Sequence, residues 1–330
     1  MDVIPATPAS DFMGVEGWEN TQPLSLKSLK GKVVLLDCWT YTCIFCLRSI
    51  PIMRRLDEKY SKHGLVVVGA HSAEYSFAVN SSNIKKALAR YRVNFPTALD
   101  TKNKTWEAYG NMYWPKHILI DANGFIRYEH VGYGSIAEFE EPIIELLQET
   151  GYNPPTELDE KDPNDEIYDM HGMHFVGISP EICVGYTRMR RFGNNHSAEP
   201  NKVNQFKDSK IHVENAVYLH GSWFWDRECV KYSGKDGKNA AVIMNYNAKR
   251  VNTIIGTDDG KAARIEVKLD GDYLTKENAG HDVNLKDGIS YVDVTWDFVH
   301  NLVKTENPET HEVEIIPKTS NFVFYTFVFG

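Results

Sequence analysis

The sequence predicts an α/β domain, with a central mixed sheet flanked by helices, followed by an all-β sandwich or jelly-roll domain. In the first half, short apolar runs alternate with stretches of helical periodicity, and beyond about Ser179 that periodicity disappears. Between the halves, Tyr152–Asp169 contains three prolines among seven acidic residues, which is typical of a solvated linker. We therefore expect a first domain over 1–151, an acidic linker over 152–178 and a second domain over 179–330.

The alternation of strands and helices in the first half begins with Lys32–Trp39. This apolar and partly β-branched run is typical of a strand buried on both faces. From Cys43 onward, apolar residues recur at three-to-four spacing, which predicts a helix that ends near Gly64. The same alternation predicts strands over Leu65–Ala70, Ile118–Ile120 and Phe125–Val131, and helices over Asn83–Tyr91 and Ile136–Leu147.

The second half consists of β-type segments separated by turn signals such as Asp270-Gly271. Several short strands at this spacing are typical of a sandwich or jelly roll. The predicted strands are Val217–Leu219, Ala241–Tyr246, Arg250–Ile255, Ala263–Leu269, Ser290–Trp296, Glu312–Ile316 and Phe322–Phe329.

Bulk composition excludes several classes of protein. A hydrophobic content of 42% is enough to fill a core, and a net charge of −9 argues against a nucleic-acid binder. The longest apolar stretches have the length of strands, so no membrane span is predicted. The first residues lack the features of a signal peptide, so we expect a cytoplasmic protein as the sequence is written, or an extracytoplasmic one if a leader was removed.

Two of the five cysteines, Cys43 and Cys46, form a CxxC pair that follows a predicted strand and opens a predicted helix. A helix N-terminus favours a thiolate, so Cys43 is the expected nucleophile and Cys46, one turn later, the expected resolving thiol. The alternative is half of a zinc site, but no second CxxC or well-spaced histidine pair accompanies it. We therefore expect no metal and no cofactor other than a redox-active Cys43–Cys46 disulfide.

The residues around this pair resemble a known family. Asp37–Cys46 (D-C-W-T-Y-T-C-I-F-C), followed by Pro51, resembles the thioredoxin core motif, and Gly69–Glu74 and Tyr109–Pro115 fit the TlpA/ResA-like branch. The resemblance is closest to the soluble thioredoxin-like portion of DipZ-type proteins. It continues into the second half, where Ser179–Tyr186 and Phe324–Gly330 resemble the carbohydrate-binding-like β module of that group. This resemblance implies a thioredoxin fold for the first domain and thiol–disulfide oxidoreductase activity.

The resemblance also implies roles for single residues. Asp37 matches the buried acidic residue that takes a proton from Cys46 when that thiol attacks, and Glu74 matches an active-site glutamate of the ResA-like branch. Pro115 matches a cis-proline whose neighbouring backbone pairs with the substrate. The remaining residues expected to form or support the substrate site are Trp39, Ile44, Phe45 and Trp114.

The expected partners are a protein disulfide or dithiol and an electron donor, either an enzyme like thioredoxin reductase or a separate membrane thiol conduit. The β domain could bind a glycan or mediate self-association. The candidate residues for stacking on a sugar ring are Trp223, Phe224, Trp225 and Trp296, although aromatic residues on strands are more often core. Two other functions stay open. One is a peroxiredoxin-type peroxidase, which has a proline and a threonine or serine ahead of its reactive cysteine; Thr40 fits that pattern, but Leu36 stands where the proline belongs. The other is a non-catalytic binding protein on a thioredoxin scaffold.

Overall fold

The computed structural model describes residues 1–194, 198–234 and 239–330. The chain divides into two compact units, residues 1–167 and 168–330. The helices are α1 Ile44–Tyr60, α2 Ser81–Arg90, α3 Lys104–Ala108, α4 Ile136–Glu149 and, at the junction of the units, α5 Glu166–His171. The strands of the first unit are β1 Asp2–Pro8, β2 Trp18–Glu19, β3 Val33–Trp39, β4 Leu65–Ser72, β5 Thr97–Asp100, β6 Lys116–Ile120 and β7 Phe125–Val131.

The first unit is built on a seven-stranded mixed sheet in the order β1-β7-β6-β3-β4-β5-β2. Strand β3 lies at its centre, parallel to β4 and antiparallel to β6. All seven residues of β3 are buried, as its apolar sequence predicts. The prediction of a central mixed sheet flanked by helices, with a thioredoxin-like fold, is therefore confirmed.

Four elements of this unit escape the sequence patterns: β1, β2, β5 and α3. Strands β2 and β5 have only two and four residues, and α3 has five. Segments this short contain too few residues to establish either hydrophobic period. Strand β1 is mostly exposed at the sheet edge, so it lacks the apolar alternation by which a half-buried strand is recognised.

The acidic segment that composition predicts to be a solvated linker is partly anchored on α1. Arg55 donates from Nε to Asp159 at 2.7 Å, and Lys59 lies 3.1 Å from the same carboxylate. Lys59 also pairs at 2.5 Å with Glu140 of α4, which is fully buried. This part of the predicted linker is therefore held on α1 by opposite charges.

The strands of the second unit are β8 Ile182–Cys183, β9 Val203–Phe206, β10 Val217–Trp225, β11 Val230–Tyr232, β12 Ala241–Thr257, β13 Ala263–Leu269, β14 Asp272–Tyr273, β15 Asn284–Lys286, β16 Ile289–Val294, β17 Phe298–Pro317 and β18 Phe322–Phe329. Within the part of this unit that the structure describes, these strands pair with one another in antiparallel fashion. The prediction of an all-β second domain is confirmed.

The long strand β12 organises this second unit. One of its edges pairs with β17, and its other edge pairs first with β10 and then with β18. Because β10 and β18 are themselves linked through β11, the strands curl around one apolar core. Trp223 and Trp225 belong to that core and are 0% and 9% exposed, so they cannot form a sugar-stacking platform.

No helix of the described residues is long and apolar enough to cross a membrane.

Candidate active site

The cysteine pair lies where the central strand β3 passes into helix α1. Cys43 is the N-cap of α1, with extended backbone angles of φ −96° and ψ 113°. Its Sγ accepts a hydrogen bond from the backbone N–H of Cys46 at 3.3 Å. The sulfur of Cys43 thus occupies the position where capping oxygens of Ser, Thr or Asp satisfy the free N–H groups of a helix. A negative charge on this sulfur would meet the positive end of the helix dipole.

The two thiols have different surroundings. Cys43 is partly exposed, whereas Cys46 is fully buried, and both are free thiols in this structure. Burial raises the pKa of Cys46 well above its ordinary value, and the neighbouring Cys43 raises it further. Cys43 can therefore meet an incoming disulfide, while Cys46 needs a proton acceptor before it can attack.

Asp37, the expected acid–base residue, lies on β3 and is fully buried. Its Oδ1 lies 3.3 Å from Nδ1 of His117 on β6, which is also fully buried. Burial is the main reason that the pKa of Cys46 is raised, and the charge of Asp37 makes the smallest contribution to it. Asp37 and Cys46 are therefore within electrostatic reach of each other. The structure therefore brings a carboxyl group beneath the cysteine pair.

The segment before β6 faces Cys43 through its backbone. The Trp114–Pro115 peptide bond is cis, and the Cys43 thiol lies 3.8 Å from the Trp114 carbonyl oxygen. The Trp114 ring stacks on Trp106, with centroids 4.1 Å apart. Trp114 thus presents its carbonyl group to the site and packs its ring against the interior.

The expected substrate-contact residues divide into exposed and buried ones. Phe45 is 38% exposed beside Cys43, with its ring 5.2 Å from the Arg48 guanidinium. Ile44 and Trp39 are 1% and 0% exposed. Side chains buried to this extent support the turn from below, which is the packing role expected of Trp39, and a substrate contact of Ile44 stays a prediction.

Glu74 lies in the loop after β4 and contacts the active-site turn. It accepts a hydrogen bond from the Thr42 hydroxyl at 2.7 Å, and the Thr42 and Thr40 hydroxyl oxygens lie 3.2 Å apart. Thr42 directly precedes Cys43. Glu74 therefore holds the residue next to the exposed cysteine.

Two charged or titratable residues near the site were not predicted. Arg48 is 1% exposed in the first turns of α1; burial lowers its pKa to about 10, while the charge of Cys43 acts in the opposite direction. His71 of β4 accepts the Tyr41 backbone N–H at 3.3 Å, and burial lowers its pKa to about 3. In the sequence, each of the two is a charged or titratable residue inside an otherwise apolar element. That pattern could have marked them as unusual, but it does not show that they lie near Cys43.

Exposed apolar residues form the second feature that the sequence analysis missed. Met112 and Tyr113 are 75% and 63% exposed, and they immediately precede Trp114 and Pro115. Large apolar side chains at such exposure are typical of binding surfaces when they lie together. The loop that presents the Trp114 carbonyl to Cys43 thus carries an apolar surface of its own.

Two family models match the chain. The redoxin family matches residues 6–145, and the family described as the thioredoxin-like C-terminal domain matches residues 179–330. The two matched regions carry the mixed sheet with the cysteine pair and the all-β sheet, respectively.

Several known proteins are similar to parts of this chain. Protein DipZ of Mycobacterium bovis is 34% identical over 273 residues, which cover 78% of this chain and 37% of that protein. The thiol–disulfide oxidoreductase ResA of Halalkalibacterium halodurans is 29% identical over 127 residues, or 38% of this chain and 69% of ResA. A solved thiol:disulfide interchange protein from Chlorobium tepidum TLS is 26% identical and covers 44% of this chain and 98% of its own, with a TM-score of 0.38.

The chain spans little more than a third of the length of the DipZ proteins that it matches. Its first unit has the thioredoxin-like sheet with a cysteine pair at the start of α1, and its second unit matches the C-terminal domain that accompanies such units. The chain therefore combines a redoxin region with a thioredoxin-like C-terminal domain, and it is similar to the DipZ proteins over most of its length.

Proposed function

We propose that this chain exchanges disulfides with protein substrates through Cys43 and Cys46. The observation that carries the proposal is the asymmetry of the pair: a partly exposed sulfur at the N-cap of α1, and a fully buried thiol three residues later with a raised pKa. Disulfide exchange requires one thiolate that is accessible to the substrate and a second thiol that waits until the mixed disulfide has formed.

The proposed cycle has two steps. The Cys43 thiolate attacks a substrate disulfide, which forms a Cys43–substrate disulfide and releases one substrate thiolate. Cys46 then gives its proton to Asp37 and attacks Cys43 Sγ, which forms the Cys43–Cys46 disulfide and releases the second substrate thiolate. The substrate gains two electrons and the enzyme loses two, and the released thiolates take protons from water. Every step is reversible, so the same residues can also oxidise a dithiol.

The substrate would bind as an extended segment beside the Trp114–Pro115 peptide. The Trp114 carbonyl, 3.8 Å from Cys43 Sγ, offers an acceptor for a backbone N–H of that segment. Phe45 at the start of α1, and Met112 and Tyr113 on the loop before Trp114, offer exposed apolar side chains. We propose a protein substrate with an apolar side chain close to its cysteine.

Electrons would reach the oxidised pair by the same exchange chemistry. The donor that we propose is a protein dithiol, supplied either by an enzyme like thioredoxin reductase or by a separate membrane thiol conduit. Both deliver electrons through a thiolate that attacks a disulfide. Neither requires a bound cofactor in this chain.

Reduction of insulin and a trapping experiment test this proposal together. The wild-type chain should accelerate insulin reduction by dithiothreitol, and Cys46→Ser should accumulate a mixed disulfide through Cys43 that mass spectrometry can identify. Cys43→Ser should do neither. No acceleration by the wild type, together with rapid consumption of hydrogen peroxide by Cys43, would instead indicate a peroxidase.

A further inference from the structure

Three polar residues form a row across neighbouring strands beneath the cysteine pair. Asp37 of β3 lies directly opposite His117 of β6, and His117 lies directly opposite His130 of β7. Directly opposite residues of antiparallel strands place their side chains on the same face of the sheet. Phe139 of α4 covers both imidazoles, with ring centroids 4.9 Å from His117 and 5.5 Å from His130. The row is therefore enclosed between the sheet and α4.

Within this row, Asp37 and His117 depend on each other. Their contact is 3.3 Å long, between Oδ1 and Nδ1, and both residues are 0% exposed. Among the described residues, neither carboxyl oxygen of Asp37 and neither ring nitrogen of His117 makes a regular hydrogen bond with any other group. Leaving a buried polar group without such a bond costs about 1–3 kcal/mol, so a purely structural pair would be expected to be better satisfied.

The pair has the chemistry needed to hold one proton. A carboxylate beside a neutral imidazole can accept a proton that either group then retains, and the other group stabilises it by a hydrogen bond. The resolving step of the proposed cycle releases one proton, from Cys46, into this buried region. Asp37 alone would have to hold that proton without a second polar partner.

We propose that His117 is a positioning residue that shares with Asp37 the proton released by Cys46. This inference rests on the proposed function. The Cys46 S–H bond breaks, its proton passes to the Asp37–His117 pair, and the Cys46 thiolate forms the bond to Cys43 Sγ while the bond from Cys43 to the substrate sulfur breaks. In the reverse direction, the pair returns the proton to Cys46 as the internal disulfide opens.

Other titratable groups surround the pair and would influence its titration. Cys46 of α1 and Cys38 of β3 lie within electrostatic reach of Asp37. His130 of β7 faces His117, with ring centroids 6.1 Å apart. Two further charges, Glu138 of α4 at 3.9 Å and the chain N-terminus, influence the pKa of His130. Lys116 and Asp100 are charged neighbours that influence the pKa of Cys38.

Reaction of the fully reduced chain with dithiobis-nitrobenzoate separates the two thiol steps. Attack by Cys43 releases the first thionitrobenzoate, and attack by Cys46 on the resulting mixed disulfide releases the second. The second phase therefore reports the step that needs the proton acceptor. The Cys46→Ser variant, which should show the first phase alone, identifies the phases.

We expect His117→Leu to slow the second phase by about tenfold or more and to leave the first phase unchanged, since acid–base assistance contributes about 10²–10⁴-fold in enzymes. His117→Asn keeps a polar donor near Asp37 but cannot titrate. The pH profile of its second-phase rate should therefore differ in form from that of the wild type. A residue with only a structural role would not change the form of that pH profile.

His63→Asn is the matched control, because His63 lies in the same unit on the turn after α1. It should reproduce both wild-type phases. An unchanged first phase in a His117 variant shows that the site has folded, and if His117→Leu does not fold, His117→Asn decides the question. Second phases within twofold of wild type, with the same pH profile, would overturn the inference. A wild-type chain that releases only one thionitrobenzoate would instead contradict the proposed function.

Discussion

Two buried pairs, one in each unit, differ in how their polar side chains are satisfied. In the second unit, Asn252 Oδ1 lies 3.0 Å from His171 Nδ1, and its amide donates to the His171 carbonyl at 3.2 Å. Asn194 exchanges two hydrogen bonds of 2.8 Å with the Leu219 backbone. In the first unit, the side chains of Asp37 and His117 lie 3.3 Å apart and make no regular hydrogen bond with any other described residue.

Another buried carboxylate of the first unit is satisfied in the usual way. Asp100, which is also buried in the first unit, accepts hydrogen bonds from the backbone of Thr105 and Trp106 at 3.1 and 2.8 Å. Asp100 and Asn252 thus show the hydrogen bonding that is usual for buried polar groups. Other described groups outside the site, such as the hydroxyl of buried Tyr246, also make no hydrogen bond. What distinguishes Asp37 and His117 is that they lie together where the proposed cycle moves a proton.

The largest effect is expected from substituting one cysteine in each unit and measuring insulin reduction. Cys43→Ser should abolish insulin reduction, because a hydroxyl group cannot form the mixed disulfide. Cys183→Ser, a substitution of a buried thiol in the second unit, should retain most of the wild-type rate. Turbidity of reduced insulin measures both variants. Equal losses in the two would contradict the assignment of the reaction to the first unit.

Asp37→Asn and Asn252→Ala should show opposite patterns of activity and stability. Asp37→Asn should slow the resolving step by about 10²-fold through loss of the proton acceptor, and it should not lower the free energy of unfolding. Asn252→Ala should lower the stability of the second unit by about 1–3 kcal/mol and leave the thiol chemistry unchanged. The rate of the resolving step and the free energy of unfolding therefore distinguish the role of Asp37 from that of Asn252.

Alkylation in increasing urea measures each unit separately, since Cys38 is buried in the first and Cys229 in the second. Mass spectrometry of the labelled peptides gives the urea midpoint for each cysteine. A large drop in the Cys38 midpoint for Asp37→Asn would mean that Asp37 is chiefly structural.

His71 should make the first unit sensitive to acid. Burial lowers its pKa from the ordinary 6.5 to about 3, so the unfolded chain binds a proton below about pH 6.5 that the folded chain does not bind. The free energy of unfolding should therefore fall as the pH drops from about 6.5 towards 3, by at most about 1.4 kcal/mol per pH unit from this group. Urea unfolding at several pH values should show a weaker dependence in His71→Asn. An identical dependence would contradict the buried, neutral state of His71.

Glu74 should have the smallest effect. Glu74→Gln can still accept the hydrogen bond from Thr42, so we expect a change in the insulin rate of about threefold or less. Glu74→Ala removes the acceptor and should slow the reaction more than Glu74→Gln does. A loss approaching that of Cys43→Ser would assign Glu74 a direct role in the chemistry.

Local patterns were sufficient to predict the strand, turn and helix that hold the cysteine pair. The buried run before Trp39 and the helical spacing after Cys43 each lie within one stretch of sequence, and the observed strand and helix match them. The role of His117 could not be predicted in this way. It stands inside an ordinary apolar strand, and only the register of β3 and β6, which are separated by about 80 residues, brings it to Asp37.

The contrast between local patterns and strand pairing also explains why two strands of the second unit were predicted where there is one. The segments predicted as separate strands, Ala241–Tyr246 and Arg250–Ile255, are parts of the single strand β12. Its pairing with β17 shifts register between Ala248 and Arg250, which interrupts the alternation of buried and exposed residues there. A pattern of period two is broken by such a bulge, although the hydrogen-bonded strand continues through it.

The most direct test of the central claim is the redox equilibrium of the Cys43–Cys46 pair in graded thiol buffers, followed by mass spectrometry of alkylated peptides. We expect Cys43 and Cys46 to become protected together in a reversible two-electron transition, while Cys38, Cys183 and Cys229 remain thiols. A midpoint near about −270 mV would indicate a reductant and one near about −120 mV an oxidant. The absence of any reversible disulfide between Cys43 and Cys46 at every potential would contradict the exchange mechanism.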